Sequence, residues 1–221
     1  MMKVSTARWP LLIAATAAMV GCATPQKKDY TAYKANMPKS ILVLPPVNES
    51  PDVNATFSMY SQVSQPLGEA GYYVLPVSLV NETFKQNGLS MPAEMQAVST
   101  HKLQEIFGAD AGLYITVTEY GSSYRVISSD ATVKANARLV DLKTGTLLWE
   151  GAAMASTAEN RNNGGGGIAG LLIAAVVNQI MNNMTEVSHT MAGVAGQRLL
   201  RPQPNGLLPG HRAPAPAAAN N

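Results

Sequence analysis

One cysteine, Cys22, occurs in 221 residues, so no disulfide framework can hold this chain together and its stability must come from packing. Histidine is nearly as scarce. His101 and His189 fall on predicted helices and His211 near the carboxyl end, none with a His or carboxylate at metal-ligand spacing, which predicts surface residues and no metal site. Charge is sparse at 14% of residues, and its balance misleads: of 16 basic residues Lys3 and Arg8 lie in the first 21 positions, where there is no acid, leaving 14 basic and 14 acidic after them. Without a basic excess there is no electrostatic warrant for nucleic-acid binding, and no polybasic patch for a membrane surface. No Gly-x-Ser-x-Gly elbow is present. Gly164 to Gly170 is glycine-rich but lacks the Lys-Ser/Thr of a phosphate loop, and reads as a hinge. No apolar run reaches the ~20 residues that cross a bilayer.

What is present begins at the amino end. Lys3 and Arg8 precede an apolar stretch from Trp9 to Val20, and small residues lead to Met19-Val20-Gly21-Cys22-Ala23. A positive start, a core of about a dozen apolar residues and a small residue at the boundary describe a secretory signal peptide over 1–21. Gly21-Cys22 resembles the bacterial lipobox, with Met19 in place of the favoured leucine. That resemblance implies cleavage before Cys22, acylation of Cys22 (palmitate among the acyl groups) and a membrane anchor. Ala23 follows the cysteine where retained lipoproteins carry Asp, which by the same resemblance implies the periplasmic face of the outer membrane.

Residues 22–38 are polar and read as a solvated, lipidated tether, although Tyr30 and Tyr33 could dock on the domain. A single domain is expected over 39–200, and 201–221, with five prolines, as a disordered tail. Ile41 to Leu44, ended by Pro45-Pro46, suits a strand buried on both faces. Phe57, Tyr60, Val63 and Leu67 have helical spacing up to Gly71, with Pro66 a kink or a new start. Tyr72 to Val80 reads as a strand, Asn81 to Asn87 as a short helix and Met91 to Phe107 as one helix ended by Gly108. Leu113, Ile115 and Val117 alternate with Tyr114, Thr116, Thr118 and Tyr120 in a strand turned by Gly121-Ser122-Ser123. Ile127, Ala131, Val133, Ala135, Ala137 and Leu139 alternate with Thr132, Lys134, Asn136 and Arg138 in a half-exposed strand. Asp141 to Gly145 is a hairpin turn and Thr146 to Met154 the last strand. From Val177 to Leu199 a methionine-rich stripe marks a long amphipathic helix, whose first half, Ile180 and Met184, is expected on the sheet. The expectation is an α/β (α+β) fold: a mixed sheet of about five strands in the order β-α-β-α-α-β-β-β-α, helices packed on it.

Ile41-Leu42-Val43-Leu44-Pro45-Pro46, Phe107-Gly108-Ala109-Asp110, and Ala137-Arg138-Leu139-Val140-Asp141 before Thr144-Gly145-Thr146-Leu147-Leu148-Trp149 together resemble a group of bacterial lipoproteins of unknown function first noted in Neisseria. The order of elements is also similar to the amino-terminal domain of TolB, to the curli-secretion channel lipoprotein and to lipoprotein activators of peptidoglycan synthases. The resemblance implies a binding or assembly protein.

Asp110, Glu119, Asp130 and Asp141 are the carboxylates that could pair, but Asp110 and Asp141 stand at strand borders, where Asp serves the backbone. No catalytic or cofactor-binding residue is assigned and no cofactor is expected; Cys22 is the one functional residue. The function expected is a non-catalytic, lipid-anchored periplasmic adaptor or accessory subunit of a secretion or transport assembly. Its partners are the membrane, through Cys22, and an envelope protein such as a channel-type lipoprotein, with Ile168 to Val177 either core or a surface for self-association. The alternatives are a regulator of a peptidoglycan synthase, and a hydrolase or small-molecule binder.

Overall fold

The computed structural model describes residues 28–125, 128–159, 184–203 and 206–214. The Ile168 to Val177 stretch, Ile180 and Cys22 lie outside the described residues, as does the glycine run.

The described elements, in chain order, are α1 (Thr31–Asn36), β1 (Ser40–Val43), β2 (Val47–Asn48), α2 (Ala55–Gln62), α3 (Ser64–Glu69), β3 (Tyr73–Val74), α4 (Val77–Gln86), α5 (Pro92–Ala97), α6 (Thr100–Phe107), β4 (Ala111–Arg125), β5 (Ser128–Asp141), β6 (Leu147–Ser156) and α7 (Met184–Leu200). They build a six-stranded mixed sheet in the order β3-β1-β4-β5-β6, with β2 also on β4. β1 is parallel to β3 and β4, and β4, β5 and β6 are antiparallel. The expected α+β architecture is present.

β1 is the strand buried on both faces that its continuous apolar run predicts. Ile41 and Val43 enter one apolar cluster, with Met59, Val63, Leu67, Val133, Leu139, Val187 and Met191. Leu42 and Leu44 enter the other, with Val80, Phe84, Met95 and Leu103. The prolines then interrupt the ladder. Val43 pairs with Leu113 and Val47 with Thr116, four steps against three, and neither Pro45 nor Pro46 has an N–H to give. Gln96 on α5 fills the gap, its side-chain amide donating to the carbonyls of Pro45 (2.9 Å) and Ile115 (3.0 Å).

Several sequence expectations are corrected. The strand expected over Tyr72 to Val80 is two residues long at the sheet edge; Pro76 precedes a helix that starts at Val77 and absorbs the short one expected at Asn81. The helix expected from Met91 to Phe107 is two, divided at Val98, with the Ser99 hydroxyl accepting from the Lys102 N–H at the second start. Of the two readings of Pro66, the new start is the one present: it lies in a second helix after a break at Val63. β4 does not turn at Gly121-Ser122-Ser123 but runs to Arg125, held by β5 through Arg125–Ser128. A bulge between Val117 and Glu119 adds one residue, so Tyr120 moves from the face predicted for it to the Val117 face, where it is buried.

The largest corrections are at the two ends of the domain. Residues 28–38 are not a solvated tether throughout: Tyr33 on α1 is 3% exposed, and its hydroxyl hydrogen-bonds that of Tyr72. The tail is not disordered from residue 201. Leu207 is fully buried, the Tyr72 hydroxyl donates to the Leu208 carbonyl, the Tyr30 hydroxyl to that of Gly206, and the Gly210 and Arg212 N–H groups donate to the carbonyls of Ala70 and Gly71. Gly71 has φ +92°, and a Cβ there would overlap the Ala213 backbone, so this close approach needs glycine. Three tyrosines thus join the two terminal segments: Tyr30 and Tyr72 donate to backbone carbonyls of the tail, and Tyr33 hydrogen-bonds Tyr72, each phenol pairing an apolar ring with a polar tip.

Candidate functional site

The carboxylates that could have paired are each engaged by the fold. Asp110 accepts from the Lys39 and Ser40 N–H groups and the Ser40 hydroxyl, all at 3.0 Å. Burial pushes its carboxyl up, but these bonds and nearby Lys143 outweigh that and hold it below the ordinary carboxylate value. Asp141 caps its hairpin turn by accepting from the Lys143 and Thr144 N–H groups. Glu119 pairs with Lys134 at 2.7 Å across β4 and β5, and Asp130 meets the Thr157 hydroxyl. Among the described residues no group of His, Cys, Asp and Glu is able to hold a metal ion, and no helix is long and apolar enough to cross a membrane.

One polar constellation could not be found from sequence, because its members are up to 131 residues apart. His189 on α7 places Nδ1 2.8 Å from the Ser58 hydroxyl on α2 and Nε2 2.8 Å from the Gln62 amide, while the Tyr120 hydroxyl donates to Ser58 at 2.9 Å. A serine beside a histidine invites comparison with a nucleophile and base. Here, however, the second imidazole nitrogen meets an amide and not an orienting carboxylate, and the hydroxyl is buried and already accepts from Tyr120. The arrangement ties α7 to α2 and β4. His101 and His189 are exposed, as predicted, and so is His211.

Among the described residues, part of one sheet face has no element over it. α1, α2, α3 and α7 cover one side of the sheet, and α4, α5 and α6 cover the other only around β1 and the start of β4. On β5 and β6 the alternation that buries Ala135 and Ala137 and half-buries Ala153 turns Asn136, Arg138, Glu150, Ala152 and Met154 outward. The Arg138 guanidinium lies 5.8 Å from the centroid of the Tyr114 ring. A shallow depression of about 410 Å³ is lined by Lys28, Asn136, Arg138, Glu150, Gly151 and Ala152.

Lys28 brings the amino-terminal segment to this depression. Its amine donates to the Glu150 carbonyl and lies 5.3 Å from the centroid of Trp149. The indole lies so close over the strand that a Cβ at Gly151 would strike it, and its N–H is buried without an acceptor among the described residues. Farther along β6, Arg198 donates to the Met154 carbonyl at 2.7 Å and forks onto Glu159 at 3.0 and 2.8 Å. Glu159 is held below its ordinary value chiefly by that hydrogen bond from Arg198.

Comparison with known proteins agrees with the resemblance read from the sequence. Residues 28–212 match a family described as "Putative lipoprotein GNA1162-like". A protein of Neisseria meningitidis serogroup B, described as "Putative lipoprotein NMB1124/NMB1162", is 49% identical over 208 residues, 92% of this chain and 96% of that protein. The crystal structure of lipoprotein GNA1162 from Neisseria meningitidis is 54% identical, with a TM-score of 0.54, covering 66% of this chain and all of that one. A PelC dodecamer from Paraburkholderia phytofirmans is 12% identical with a TM-score of 0.42 over 73% of this chain and 89% of that one, a likeness too distant to carry any part of the reading.

Proposed function

Because the chain belongs to the GNA1162-like lipoprotein family, we propose that it is a lipid-anchored periplasmic adaptor, a non-catalytic accessory subunit of an envelope secretion or transport assembly at the outer membrane. Cys22 is its acylated mature amino terminus. The outward face of β5 and β6 receives an envelope protein, a channel-type lipoprotein being the kind of partner expected.

The observation that carries this reading is the juxtaposition of that face with the anchored end of the chain. Lys28 is six residues after Cys22 and already lies against Glu150 and Trp149. The face combines an arginine stacked near a tyrosine, an exposed methionine and small residues, a composition that suits a protein interface better than a small-molecule cleft. Elsewhere the polar groups that could do chemistry are spent on turns, caps and inter-element bonds. The short reach favours a partner at the membrane over a synthase on the far side of the wall.

A photo-crosslinking residue placed at Asn136 or Arg138 in the full-length protein in cells should give one discrete adduct with an envelope protein. The same residue at Lys85, exposed on α4, should not. Adducts of equal yield from both faces, or none from β5, would contradict the reading.

A further inference from the structure

We infer that the β6 edge of the sheet is the side of the domain that rests on the lipid surface. The inference rests on the reading of Cys22 as the acylated terminus, and adds which face that anchor turns to the bilayer.

Six residues from Cys22 to Lys28 span at most about 20 Å at ~3.3–3.6 Å each, whatever their conformation. The Lys28 amine is bonded to the Glu150 carbonyl, and the chain just after it is held by α1, where Tyr33 is buried and bonded to Tyr72. The tether therefore ends at a fixed point on β6. The opposite edge of the sheet is β3, four strand spacings away, or ~19 Å at ~4.8 Å per spacing, with α4 following it. An anchor this short leaves the β6 edge beside the headgroups and the β3 edge farther out.

The chemistry of the edge decides between lipid and an added strand as its occupant. β6 pairs only with β5 among the described residues, and a bare edge invites another strand. Here two of its carbonyls are already taken, Glu150 by Lys28 and Met154 by Arg198, which spoils the ladder a partner strand would need. Leu147 and Met154 on this strand are 45% and 44% exposed, and the cations bonded to its carbonyls are Lys28 and Arg198. Apolar side chains among long cationic ones match the boundary between acyl chains and phosphates.

Acylation consumes the Cys22 thiol, so an introduced cysteine is the only free thiol of the mature protein. Met154→Cys on β6 and Leu79→Cys on α4 (64% exposed) each take a thiol-reactive fluorophore without disturbing the core. The full-length acylated protein is reconstituted in phosphatidylethanolamine–phosphatidylglycerol vesicles containing lipids with nitroxide headgroups, which quench at contact range. The label at 154 should be quenched several-fold more than the label at 79. Equal or reversed quenching in protein that floats with the vesicles overturns this inference and leaves the anchor standing. Protein that does not float at all overturns the anchor, and this inference with it.

Discussion

Truncation after Leu200 should lower the melting temperature of the soluble domain by about 10 °C. Leu207 is fully buried in the cluster that also holds Leu199, Leu200 and Tyr72, and Leu208 packs at its rim. Losing a buried leucine typically costs ~2–5 kcal/mol. Truncation also strips the Tyr30 and Tyr72 hydroxyls of their carbonyl acceptors and the Ala70 and Gly71 carbonyls of their donors. Roughly 3–5 kcal/mol in all, at ~2–4 °C per kcal/mol for a domain of this size, gives the expected shift. Truncation after Pro214 should leave the melting temperature within error. Equal melting of both truncations and the full domain would mean that the segment 206–213 does not pack.

Met191→Asp should unfold the domain outright or depress melting by a comparable or larger amount. Met191 is fully buried between α7 and the sheet, in line with Val187, Ala195 and Leu199 at four-residue steps. An unpaired carboxylate there leaves water without a partner and also removes a packed side chain, about 4–5 kcal/mol together. That is a large share of the ~5–15 kcal/mol by which a domain is stable. The stripe could in principle have been a partner surface, since methionine suits both uses. Full burial in the single chain decides for core over this half of the helix. Circular dichroism and thermal unfolding give the answer; a folded variant with unchanged melting would return the stripe to the role of an interface.

These two expectations also show what the sequence made legible. Where burial follows an element's own period or fills a continuous apolar run, period and composition were enough: β5 alternates as read, β1 is buried on both sides, and α7 carries its stripe from Val187 to Leu199. What failed was local signal outweighed by distant contact. Five prolines outvoted Leu207 and Leu208, although those leucines were the tail's only large apolar residues. Gly121-Ser122-Ser123 reads as a turn, yet cross-strand pairing with β5 carries the strand through it. The bulge before Glu119 has no sequence mark of its own, and a single extra residue reverses every later side chain. Of the candidate site, the proposal at Cys22 rests on a local targeting pattern, the kind of signal a sequence carries by itself. The outward face of β5 and the approach of Lys28 to β6 were not legible, since 122 residues separate Lys28 from Glu150.

The proposed anchor is a lipid on Cys22. Cells fed labelled palmitate should yield labelled protein in the membrane fraction, and Cys22→Ala should abolish the label and release the domain from the membrane while its melting, set by residues 28–214, stays unchanged. Label that persists in the Cys22→Ala protein, or wild-type protein that takes up none, would contradict it.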